Sequence, residues 1–177
     1  MSIGMVLTTR VFAGFVLIAS AVVLGTVLVS QYVGGLEPCE LCLLQRWPWA
    51  AAIVIALVAL WAGDRGGLFW VALVLAAVFL IGVGLAFYHF GVEQHWYPGP
   101  EACTASGNRA ATVEQLREQL LHQQRVQCDQ PAWSLFGVTM AGWNLVASVI
   151  MAAACIAAAA LGRVRPRRAV ATDRGAA

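Results

Sequence analysis

The chain of 177 residues contains no lysine, and only 11% of it is charged. Soluble domains carry about 25% charged residues, so there is too little charge here to cover a water-facing surface, and a large soluble catalytic domain is excluded. All 11 basic residues are arginine, which reads as compositional bias, and they leave no nucleic-acid footprint. The strict apolar and polar alternation of membrane barrel strands is missing as well. His89, His95 and His122 show no recurring ligand spacing, so none is assigned a function. What is present in quantity is apolar surface, at 60% of residues, and its natural solvent is a lipid bilayer.

A helical span takes about 20 apolar residues, which leaves room for four spans and little else. The sparse charges mark them out at about 11–30, 47–62, 68–88 and 143–161. Backbone in lipid must satisfy its own hydrogen bonds, so these are helices. The first uncharged run exceeds the roughly 7 to 15 residues of a signal-peptide core and is followed by no clean small-residue cleavage site, so it reads as a retained span. The expected fold is all-α, a polytopic four-helix membrane bundle forming a single domain over 1–177.

Arginines in short loops set orientation. Arg10 precedes the first span, Arg65 lies in the tight turn after the second, and Arg163, Arg165, Arg167, Arg168 and Arg174 follow the fourth. This predicts cytoplasmic segments at 1–10, 63–67 and 162–177, with 31–46 and 89–142 on the outer side. Within the longer outer segment, Val113, Leu116, Leu120 and Leu121 recur at helical spacing. They predict a short amphipathic helix over 112–122 that lies flat on the membrane surface.

Four of the five cysteines, Cys39, Cys42, Cys103 and Cys128, fall in the two outer segments. The outer side of a bacterial inner membrane is a compartment where disulfides persist, so thiol redox chemistry is favoured. Cys39 and Cys42 form a C-x-x-C at a helix start, where free amides and the helix dipole stabilise a thiolate. Arg46 is four residues beyond Cys42, on the same face if the first turn is helical. It could stabilise that thiolate, or hydrogen-bond the carbonyl oxygen of an electron acceptor as negative charge develops there. Pro48 kinks or restarts this helix.

A zinc site and a plain structural disulfide are the other readings of such a pair. Four-cysteine zinc sites usually show a second C-x-x-C, which this sequence lacks. Cys103 and Cys128 would close the long outer segment, where a disulfide used as a staple stabilises by roughly 3 to 4 kcal/mol. The Pro- and Gly-rich stretch before Cys103 and the small polar residues after it suit exchange with a partner instead. Cys155 lies in an Ala-rich helix and reads as a packing residue.

Taken together, the Pro38-Cys39-Glu40-Leu41-Cys42-Leu43-Leu44-Gln45-Arg46 stretch, Tyr97 to Cys103, Cys128 to Gly137 and Trp143 at the start of the last span resemble the DsbB family of bacterial inner-membrane disulfide bond formation proteins. The resemblance covers nearly the whole chain apart from its two tails. It implies a thiol:quinone oxidoreductase that reoxidises a periplasmic thioredoxin-like protein of the DsbA type and passes the electrons to ubiquinone or menaquinone. It also implies roles: Cys103 forms the mixed disulfide with the partner, Cys128 is its mate, Cys39 exchanges with that pair, and Cys42 faces the quinone beside Arg46. No metal site is expected. The segment between Cys103 and Cys128 resembles the family in length rather than sequence, which leaves the partner's identity open. The competing classes are a vitamin K epoxide reductase-like quinone oxidoreductase, whose C-x-x-C would open a late helix, and a non-catalytic membrane protein with structural disulfides or a zinc site.

Overall fold

The computed structural model describes residues 8–63, 67–100, 112–114, 117 and 127–164. Its elements in chain order are α1 (Thr9–Tyr32), α2 (Glu40–Leu44), α3 (Arg46–Ala62), α4 (Leu68–Glu93), β1 (Ser134–Leu135), β2 (Val138–Thr139) and α5 (Met140–Val164). Four segments are long and apolar enough to cross a bilayer: Thr9–Tyr32, Glu40–Ala62, Leu68–Glu93 and Met140–Gly162. The protein is therefore a helical membrane bundle.

Small residues let the helices approach closely. α4 packs chiefly on α5, α1 packs on α3, and the α3–α4 contact joins the two pairs. The buried face of α3 is Trp49, Ala52, Ala56 and Ala59, and that of α4 includes Ala72, Leu75, Ala76 and Phe79, both at three- and four-residue intervals. Trp49 and Phe79 meet edge to face at 5.2 Å. Gly82 lets α4 approach both α3 and α5, since a Cβ there would lie 3.3 Å from Pro48 and 3.5 Å from Ser148. Val11, Ile18, Trp61, Trp70 and Ile81 are exposed, as expected of faces turned toward lipid.

The second membrane segment is broken near its start. Pro48 has no amide hydrogen to give the carbonyl of Leu44, and its ring crowds that carbonyl. α2 accordingly ends at Leu44, Gln45 forms the joint, and α3 restarts at Arg46 with Pro48 in its first turn. α4 runs past its predicted end at 88 as far as Glu93, because His89 and Glu93 find partners inside the bundle.

The β-hairpin is absent from the sequence expectations. Ser134 pairs with Thr139 and Leu135 with Val138. The two-residue turn places Phe136 at φ 54° and Gly137 at φ 78°, the paired positive dihedrals of a type I′ turn. Thr139 then accepts a hydrogen bond from the Gly142 amide at 3.1 Å and so caps the first turn of α5. Of the helix expected over 112–122, Val113, Glu114 and Arg117 are helical and exposed, and the rest lies outside the described residues.

Candidate functional site

Cys39 is the N-cap of α2, and its sulfur accepts the Cys42 amide at 3.2 Å. The C-x-x-C spacing turns the second thiol back over the first, and the Sγ atoms are 2.7 Å apart. Both are free thiols. From α4, the His89 ring reaches Cys39 with Nε2 at 3.6 Å from the sulfur. The side-chain hydrogen bond with Cys42 lowers the Cys39 thiol most, burial opposes it, and the His89 ring and the Cys42 amide lower it further, to about 5 against an ordinary value near 9. These surroundings favour the Cys39 thiolate, the form that acts as a nucleophile.

His89 and Glu93 are one turn apart on α4, with Nε2 3.8 Å from Oε1. The Thr139 hydroxyl donates to Glu93 Oε2, which ties the hairpin to α4. On its other edge, His89 Nδ1 meets Gln45 Nε2 at 2.5 Å, Asn144 Nδ2 donates to Gln45 Oε1 at 2.5 Å, and Trp49 Nε1 donates to Asn144 Oδ1 at 2.9 Å. A continuous polar network therefore crosses α3, α4 and α5 at the dithiol end of the bundle.

Cys128 is 1% exposed and disulfide-bonded. It packs in one buried cluster with Cys39, Leu41 and Val92, against which Cys42 also rests. The structure thus brings a cysteine of the long segment between α4 and α5 to the C-x-x-C. Cys103 lies outside the described residues. Cys155 is fully buried in the apolar core, remote from this cluster in the fold.

The first turn after Cys39 is helical and Gln45 keeps an αR backbone, so Arg46 lies one turn beyond Cys42. Arg46 Nη1 donates to Gln31 Oε1 of α1 at 2.7 Å, and the ring that reaches the Cys39 sulfur is that of His89. Cys42, Arg46 and His89 all line a cavity of about 470 Å³ whose remaining walls are mostly apolar, among them Val23, Val27 and Trp143. That volume is in the range of small-molecule sites. Arg46 Nε is buried beside it with no hydrogen-bond partner among the described residues.

Sequence reasoning missed His89, Gln45, Asn144 and Trp49. The four-residue spacing of His89 and Glu93 was a usable signal. The other partners come together only through tertiary packing.

Comparison with known proteins agrees with this geometry. Residues 9–158 match the family model described as disulfide bond formation protein DsbB. A disulfide bond formation protein B from Nitrosococcus oceani is 32% identical over 143 residues, covering 79% of this chain and 83% of the relative. One from Aromatoleum aromaticum is 30% identical over 155 residues, covering 82% and 88%. No solved structure matches. With four helices long and apolar enough to cross a membrane, a C-x-x-C at the start of the second and a family match over most of its length, this chain belongs to the DsbB family of disulfide bond formation membrane proteins.

Proposed function

We propose that the protein is a protein-dithiol:quinone oxidoreductase that reoxidises a DsbA-like thioredoxin-fold protein at the outer face of a bacterial inner membrane. In this reading the chain is a single membrane domain with both termini cytoplasmic and Cys39, Cys42, Cys103 and Cys128 periplasmic. The observation that carries it is the packing of disulfide-bonded Cys128 against the Cys39–Cys42 dithiol in one buried cluster.

Cys103 is taken as the disulfide mate of Cys128. A thiolate of the reduced partner attacks Cys103, forming a mixed disulfide and releasing the Cys128 thiolate. The partner's second thiol then resolves this bond, so the partner leaves oxidised and the loop pair is left as a dithiol. With Cys39 and Cys42 joined as a disulfide, the loop dithiol passes its two electrons and two protons to them by thiol–disulfide exchange. Cys39 is the sulfur in exchange with the loop, since it shares the cluster with Cys128 and leaves readily as a thiolate. Cys42, on the cavity wall, is the sulfur from which the electrons depart.

The cavity suits a quinone ring. Its walls are apolar, and the unpartnered Arg46 Nε offers a charged donor where a carbonyl oxygen would gain negative charge. Arg46 and the surrounding apolar side chains would hold the ring. A ubiquinone or menaquinone bound there would supply a two-electron, two-proton acceptor for the Cys39–Cys42 dithiol. Such an acceptor is energetically required. A DsbA-type couple lies near −120 mV and ordinary structural disulfides lie below about −300 mV, a gap of roughly 180 mV or about 8 kcal/mol for two electrons.

The test is purified protein mixed with reduced DsbA-type protein and ubiquinone, followed by quinone absorbance. The wild type turns over, and Cys42→Ser and Cys103→Ser each stop it. A normal rate in either variant would overturn the assigned path.

A further inference from the structure

The polar network beside the dithiol has a direction. Trp49 Nε1 is a donor and nothing else, and it points at Asn144 Oδ1. The Asn144 amide is thereby oriented, leaving Nδ2 to donate to Gln45 Oε1. Gln45 is oriented in turn, and its Nε2 donor faces His89 Nδ1. For that contact to be a hydrogen bond, Nδ1 must be the unprotonated, accepting nitrogen. The neutral ring then carries its proton on Nε2, the nitrogen 3.6 Å from Cys39 Sγ.

We propose that Trp49, Asn144 and Gln45 form a one-way hydrogen-bond chain that fixes His89 as its Nε2–H tautomer, so that the ring presents a donor to the Cys39 sulfur. The inference rests on reading Cys39 as a reactive thiol, and it makes the three residues positioning residues acting through His89. Their setting makes the orientation hard to reverse. Trp49, Gln45 and His89 are 2%, 6% and 2% exposed, and Asn144 is half-buried between them. Flipping either amide sets a donor against a donor at one joint and an acceptor against an acceptor at the next.

The same chain explains a feature of the site that would otherwise suggest a metal. Cys39, Cys42 and His89 place three ligand atoms within 4.8 Å of one another, a soft-metal donor set. Ligation by His89 needs a lone pair on the ring nitrogen facing the sulfurs, and the chain puts a proton there. Held this way, the ring steadies a thiolate and takes no proton from Cys39.

Asn144→Asp tests the chain two joints away from the imidazole with almost no change of shape. The introduced carboxylate accepts from Trp49 and cannot donate to Gln45. Gln45 must then turn its Nε2 toward that carboxylate and its Oε1 toward His89, which requires a proton on Nδ1. The readout is the ¹⁵N spectrum of reduced full-length protein labelled at histidine, in a His95→Gln/His122→Gln background where His89 is the sole histidine.

In that background, at neutral pH, Nδ1 should resonate in the unprotonated range and Nε2 in the protonated range. Asn144→Asp should move Nδ1 into the protonated range. A protonated Nδ1 before the Asn144 substitution overturns the proposal, and so does an Asn144→Asp spectrum that does not change. Should Asn144→Asp fail to fold, Trp49→Phe removes the orienting donor. It should split His89 between the two tautomers, and a single unchanged Nε2–H form would overturn the proposal. The spectra need neither quinone nor partner, so wild-type protein that shows the pattern but does not reoxidise a DsbA-type protein would sink the functional reading alone.

Discussion

Cys39 and Cys155 are both buried thiols on membrane helices, at 4% and 0% exposure. Cys39 caps a short helix and is met by a second thiol, a backbone amide and an imidazole. Cys155 belongs to a cluster of Ala, Leu, Val and Phe side chains, with Trp49 at its edge nearest the dithiol. Burial is common to both, so it cannot be what makes a sulfur reactive. The difference is the set of hydrogen-bond donors gathered around Cys39 at one end of the bundle.

Four substitutions probe that difference. The largest effect is expected of Cys39→Ser, which removes the exchanging sulfur and should lower turnover with a DsbA-type substrate by at least ~10³-fold; a loss under tenfold would show that another thiol carries the exchange. Arg46→Ala should come next, slowing quinone reduction about tenfold to a hundredfold through loss of a charged hydrogen bond. It should leave thiol exchange between the partner and the loop nearly unchanged, and equal slowing of both half-reactions would remove Arg46 from the acceptor site.

His89→Ala should act on the thiolate. In wild-type protein the alkylation rate of Cys39 should hold level from pH 9 down to pH 6 and fall with a midpoint near 5. Without the imidazole the midpoint should rise by about one pH unit. An unmoved midpoint would make Cys42 and the helix amide sufficient on their own. Stability follows the same sign. A thiol held below its ordinary value stabilises the fold fully above about pH 9, and that contribution is lost as pH falls through about 5.

The smallest effect belongs to Cys155→Ala. It should leave turnover unchanged and cost about 1 kcal/mol in stability, measured by thermal or denaturant unfolding in detergent. A loss of turnover there would erase the contrast between the two sulfurs.

Much of this was legible in the sequence, for reasons that differ by residue. The spans could be read because lipid tolerates so few charges, and Cys39 and Cys42 because their spacing is local. Arg46 stood out against an uncharged background, and its relation to Cys42 could be read because the backbone between them stays helical, while its contact with Gln31 of α1 comes only from tertiary packing. His89 went unassigned because its partners Cys39 and Gln45 lie 50 and 44 positions away. The hairpin was hidden by Phe136, an unusual residue for a positive φ, although the Gly137 after it fits the turn.

The network also bears on how the molecule is made. Synthesis runs from the amino end, so α1 to α4 are in place before α5 emerges. Asn144, which orients Gln45, and Thr139, which satisfies Glu93, both arrive with this last segment. Until it docks, Gln45 Oε1, Trp49 Nε1 and Glu93 Oε2 each lack the partner that the last segment supplies, at a cost lipid does not relieve. Completion of the redox centre is thereby linked to insertion of the final helix, and a half-made chain is an idle one.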